Sequence, residues 1–256
     1  MDPMLQANFD ARRRDFLAQA QAEMSRWSPS PEQRVDRKLG DQYWLSQFAA
    51  GNTLDADTLV RFLWTFNQTM YCAWNRSALQ AAVHAFRRGQ HDDIDHAVDE
   101  LASTLADSTQ RPDVPRRSAA SLIAMFAEPG SPVFPMSKKP SRALSHRLAA
   151  AANEDDARGD ALADSYPAFA AACRSVLADE QRKDDFETCV AQLDHALGGI
   201  AGPMADRAVC PLDFIARRFL DKLLWVEGSW LEGARRQHRP RRHKRRAESA
   251  SADLSA

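Results

Sequence analysis

Eight Lys and Arg side chains crowd into one short stretch near the end of the chain: Arg235, Arg236, Arg239, Arg241, Arg242, Lys244, Arg245 and Arg246. With His238 and His243 between them, ten basic or titratable groups follow one another there. Such a block attracts a polyanion without needing a fold, and its binding has no sequence preference and falls steeply with salt. The alternative is a solubility segment, or one that touches RNA without a dedicated role. A second basic group, Lys138, Lys139, Arg142 and Arg147, stands along one helix start, and Arg217, Arg218 and Lys222 stand on a later helix. Together they read either as a phosphate-binding face or as ordinary solvated helix surfaces.

The run His91-Asp92-Asp93-Ile94-Asp95-His96 holds metal-ligand residue types. Its two histidines, however, are five apart rather than the three or four that would share a helix face, so a capped helix start is expected and no metal. His84, His146 and His195 are isolated, with no serine or cysteine beside them as a nucleophile pair. Cys72, Cys173, Cys189 and Cys210 never form the close pairs of zinc or redox motifs and read as reduced core thiols. No cofactor is implied. Of six tryptophans, Trp44, Trp64, Trp74 and Trp225 fall on apolar faces and Trp27 and Trp230 near helix ends, available to core packing or to base stacking.

The elements that must position these residues are helices. Alanine is abundant, glycine and tyrosine are few, and alternating β-branched runs are missing, so the fold class expected is all-α. A first helix is predicted from Leu5 to Arg26, ended by Ser28-Pro29-Ser30-Pro31, and a second from near Glu32 to Gly51-Asn52. A cap at Asp55 or Asp57 opens a helical stretch over Thr58 to Arg88, with one possible break near Asn67. Further helices are predicted over Ser118 to Ala127, Lys139 to Ala152 with proline in the first turn, Tyr166 to Ala178, Asp184 to Leu197, and Pro211 to Gly228 or a little beyond. The loop from Asp107 to Pro115 suggests a division into an N-terminal helical half, 1–107, and a C-terminal half, 116–234, with 235–256 a disordered basic tail.

A formal charge of -1 hides that asymmetry, since the chain without its basic block is clearly acidic. The N-terminal residues lack the uninterrupted apolar stretch of a signal peptide, and no window is apolar enough for a membrane span, so a cytoplasmic protein without membrane contact is expected.

Three stretches of the second half look like one another's context: Ser121–Phe126 through Phe134-Pro135 to Leu144, then Tyr166–Cys173, then Arg217-Arg218-Phe219-Leu220-Asp221-Lys222-Leu223-Leu224-Trp225. On these motifs, over about Ser118 to Gly228, the chain resembles the 8-oxoguanine-glycosylase-like helical proteins of bacteria, distant relatives of the helix-hairpin-helix DNA glycosylases. The resemblance implies a glycosylase-like scaffold that binds DNA, with modified or foreign DNA as its target. Leu197-Gly198-Gly199-Ile200-Ala201-Gly202-Pro203 looks like a degraded hairpin of that family, or a glycine-rich helix connection; in an intact hairpin, glycines let backbone amides approach a phosphate. Pro203 stands where bifunctional members place a Schiff-base lysine, which removes amine catalysis from that position. The family's catalytic aspartate follows the hairpin; Asp221 falls in that range and would activate a water for N-glycosidic cleavage, while an ion pair with Arg217 or Arg218 explains it equally. Whether the chain is an enzyme is left open. The competing function is a non-catalytic module that docks a protein partner while its tail touches nucleic acid.

Overall fold

The computed structural model describes residues 3–27, 40–49, 52–68, 73–110, 116–152, 162, 164–198, 207 and 210–238. Among them the chain is helical, without strands: α1 (Pro3–Ala11), α2 (Arg13–Trp27), α3 (Asp41–Phe48), α4 (Ala56–Thr65), α5 (Arg76–Arg88), α6 (Ile94–Asp107), α7 (Arg117–Ala127), α8 (Lys138–Ala152), α9 (Tyr166–Glu180), α10 (Asp184–Gly198) and α11 (Leu212–His238). The all-α expectation holds. The predicted start near Glu32 and the hairpin-like stretch from Gly199 to Asp206 lie outside the described residues, as do Arg241, Arg242, Lys244, Arg245 and Arg246.

Local chemistry explains most boundaries. The Asp55 carboxylate accepts from Thr58 N at 2.6 Å and opens α4, the expected use of an N-cap aspartate. Its end is a Schellman turn: Asn67 adopts φ 58°, its N–H bonds Trp64 O at 3.0 Å, and Gln68 N bonds Leu63 O at 2.8 Å. The break expected near Asn67 is therefore real. Asp93 opens α6 by accepting from Asp95 N and His96 N, which makes the His91–His96 run a capped helix start. Asn75 and Ser165 cap α5 and α9 in the same way.

One expected helix is two. The predicted Leu5–Arg26 helix breaks at Arg12, whose N–H turns back to Phe9 O at 3.1 Å. Phe9 and Phe16 would be separated by about 10 Å of rise in a straight helix, yet their rings lie 5.3 Å apart. The bend puts both on the core, a long-range demand that local propensity does not register.

The 27-residue α11 is the axis of the molecule. It packs on α8 and α2, with α10 bridging α2 and α11, and α9 joining α6 to α8 and α11. At the α8 crossing, Gly228 lies so close to the Lys139 backbone that a Cβ would sit 2.1 Å from Lys139 O. The helices α4 to α7 form a second layer, with α3 on α7. One buried apolar cluster runs through both layers. Its aromatic spine passes from Trp44 and Phe48 to Phe62, Phe126 and Phe214, with ring centroids about 5 to 6 Å apart. From 1–107, α2 packs on the last helix of 116–234 and Phe9 of α1 meets its Trp230 ring at 5.9 Å, and one apolar core holds residues of both halves.

Candidate functional site

Four charged centres lie along α11, and every site residue expected inside the described part belongs to one of them. The first gathers the three stretches singled out in the sequence. Between α7 and α8 the chain crosses the core in non-helical form, burying Val133, Phe134 and Met136. Its backbone groups cannot reach water there and must find partners inside. Phe134 N donates to the Tyr166 hydroxyl at 3.1 Å, Met136 N donates to Ser121 Oγ at 2.8 Å, and Arg217 donates to Val133 O at 2.8 Å and Pro129 O at 2.5 Å. Burial pushes the Arg217 guanidinium down to about 10 and the Tyr166 phenol up. Arg217 is 2% exposed. Its hydrogen bonds clamp the crossing and do not point to solvent.

The second centre is Arg218. Its Nε and Nη2 donate to the Asp41 carboxylate at 2.9 and 3.1 Å, and its Nη1 donates to Asp221 Oδ2 at 2.5 Å. Arg218 also stands over the Phe66 ring, 5.5 Å from its centroid. Burial opposes the Arg218 charge, but Asp41 and Asp221 more than offset it and hold the guanidinium above its ordinary value. Lys222, next to this group on α11, is half-buried; burial first, and then Arg218, push its amine down to about 8. Asp221 is only 11% exposed on its side chain and is paired with the arginine one turn away. The ion pair considered for it is formed, in the interior rather than at the surface.

The third centre lies at the surface. Lys139 Nζ sits 4.0 Å from the centroid of the Trp225 ring, which is 41% exposed. Lys138 beside it is exposed, and Arg142 pairs with Glu232 at 3.3 Å. Of the basic residues expected to form one face, Lys138, Lys139 and Arg142 share this corner, whereas Arg217 and Arg218 are inside the protein. Trp64 departs from its expected apolar face and is 62% exposed, because α4 turns Leu59, Phe62 and Leu63 inward.

The fourth centre was not anticipated. Glu180, buried at the end of α9, accepts from Arg13 at 2.8 and 3.2 Å, from Arg147 at 2.7 Å and from Lys183 at 2.7 Å. Arg147 also grips Glu227 through two hydrogen bonds of 2.8 and 2.5 Å, and Arg13 grips Asp185 through two of 2.8 and 2.6 Å. Burial works against the Glu180 charge, yet Arg13, Arg147 and Lys183 bring its carboxyl down to about 2. Burial has the upper hand at Glu227, where it raises the carboxyl above the usual range despite Arg147. Beside this network opens a cavity of about 290 Å3 between α1, α2, α8, α9 and α11, walled on its apolar side by Phe9, Phe16, Leu148 and Val176. A signal for this centre was present in the sequence. Arg13 lies on the stripe of Phe9 and Phe16, Glu180 on that of Cys173 and Val176, and Glu227 on that of Leu223 and Leu231, each a charge at an inward helical position.

The histidine run carries other work. His91 stacks on Phe86 at 4.4 Å and bonds its carbonyl at 2.9 Å, and Asp95 is spent on Arg174 at 2.5 and 3.1 Å, tying α6 to α9. Among the described residues no cluster of His, Cys, Asp or Glu is arranged to hold a metal, and no helix is long and apolar enough to cross a membrane. Cys173 and Cys210 are buried free thiols and Cys189 is half-buried. No protein-family model matches this chain, and no curated protein or solved structure is detectably similar to it.

Proposed function

We propose that this chain binds nucleic acid, duplex DNA in the first place, through the basic segment Arg235–Arg246 and the corner of Lys138, Lys139 and Trp225. The observation that carries this reading is the charge division across α11. Residues 235–256 hold eight of the chain's 34 basic and two of its 35 acidic side chains, which leaves 26 basic against 33 acidic, a formal charge of −7, on everything before them. A body of that sign repels phosphate. The basic segment begins in the last turn of a helix whose earlier turns are locked into the core. Lys139 over an exposed Trp225 adds a cation and a stacking surface, the pair that single strands and unstacked bases use.

The reading is one of binding rather than base release. Asp221, the carboxylate that a glycosylase-like mechanism would use, is engaged by Arg218 in the interior. Fluorescence anisotropy with a short duplex tests the proposal. The full chain is expected to bind with a log–log salt slope of about −0.9 per phosphate neutralised, and residues 1–234 are expected to lose that binding. Equal binding by both forms would move the interface onto the folded body; no binding by the full chain at low salt would leave the protein-partner reading. Base release that survives in the wild type and disappears in Asp221→Asn would restore the catalytic version.

A further inference from the structure

The cavity between α1, α2, α8, α9 and α11 has no part in holding DNA, yet its wall is more than a packing defect. A void in a core is normally apolar and dry. This one has charged side chains in equal number of either sign, Arg13, Arg147 and Lys183 against Asp10, Asp179 and Glu227. Its volume of about 290 Å3 is near the lower end of small-molecule sites, which combine apolar walls with a few convergent polar groups.

The hydrogen-bond inventory of the wall is incomplete on both sides. Arg147 uses one N–H on each of its three nitrogens, for Glu180 and Glu227, which leaves one more on Nη1 and one on Nη2. Lys183 donates to Glu180 and stays 45% exposed on its side chain, with further N–H groups to give. These are donors for an anionic head. On α1 the exposed Asp10 carboxylate accepts from Gln6 Nε2 at 2.8 Å through Oδ1 and keeps further acceptor capacity. Asp10 on α1 thus offers an acceptor for a cationic head beside Arg13 on α2, so the two kinds of group are neighbours. Phe9, Phe16, Leu148 and Val176 supply an apolar wall.

A lone anion or a lone cation would upset the equal balance of the wall, and a hydrocarbon would leave its polar groups unanswered. A zwitterion with an apolar body satisfies all three regions. The geometry points to a binding site for a free α-amino acid with a large apolar side chain, its carboxylate on Arg147 and Lys183, its ammonium on Asp10, and its side chain between Phe9, Phe16, Leu148 and Val176. Capture of such a ligand is independent of whether the basic segment binds DNA.

Calorimetric titration of the full-length protein with L-phenylalanine, 3-phenylpropionate and phenethylamine tests this. L-Phenylalanine is expected to bind saturably, and each analogue that lacks one charged group is expected to bind at least about tenfold more weakly, the value of one charge-assisted hydrogen bond. Asp10→Asn, at an exposed position, should weaken L-phenylalanine by a similar factor and leave 3-phenylpropionate unchanged. Ser175→Trp, at the exposed part of the cavity lining, should abolish all binding with the unfolding midpoint unchanged. No saturable heat with L-phenylalanine up to about 10 mM, equal affinity for the analogues, or undiminished binding in Ser175→Trp would each overturn the proposal.

Discussion

Two arginine–carboxylate centres on or against α11 use the same chemistry and differ in their access to water. At Arg218 the guanidinium is shared between Asp41 and Asp221, and all three groups are nearly or wholly sealed. At Arg147 the guanidinium is shared between Glu180 and Glu227, but Arg13 and Lys183 reach from the same network to a cavity wall. The sealed centre joins residues 177 positions apart in sequence and has no route by which a partner can be exchanged, so its role is to hold α3 on α11. The open centre borders a space that something can enter.

The comparison can be broken first at the sealed centre. Arg218→Leu strands the fully buried Asp41 carboxylate and is expected to cost about 3–5 kcal/mol of unfolding free energy, measured by urea denaturation; the double variant with Asp41→Leu should regain much of it. A cost under about 1 kcal/mol for the single change would mean that the centre is as open as its counterpart. Next comes the crossing that sets both centres on one axis. Gly228→Ala drives a methyl into the Lys139 carbonyl, which is expected to cost about 1–3 kcal/mol and to lower the cooperativity of the melt if α8 lifts.

Acid sharpens the contrast. Glu180 is depressed from an ordinary value of 4.5 to about 2, so the stability that it adds is present above pH 4.5 and is lost as pH falls through 2. Glu227 is raised and works in the opposite sense, its share being present at low pH and lost as pH rises. Unfolding free energies across pH 2 to 4.5 should therefore fall less steeply in Glu180→Gln than in the parent. The smallest effect is expected at the rim, where Lys183→Ala removes a half-exposed i,i+3 partner for about 0.5 kcal/mol or less. A rim variant as costly as Arg218→Leu would mean that the cavity is closed to water.

Much of the fold was legible locally. Caps at Asp55 and Asp93 and the break at Asn67 follow from side chains within a few residues of the backbone groups that they serve. The basic residues were harder. Arg142, Arg147, Arg217 and Arg218 look alike in sequence, yet one pairs at the surface, one joins the carboxylate network by the cavity, one clamps a buried crossing and one is sealed against Asp41. The bend at Arg12 and the exposure of Trp64 escaped for the same reason, since each depends on which neighbour fills the adjacent space.

By itself the sequence determined that the chain is helical, where most helices begin and stop, and that a block of positive charge runs from Arg235 to Arg246, because propensity, capping and composition act over a few residues. Only the tertiary structure decided which charges are spent inside and which face a cavity or solvent. That choice is made between groups far apart in the chain, by desolvation and partner geometry that appear only once the helices have packed.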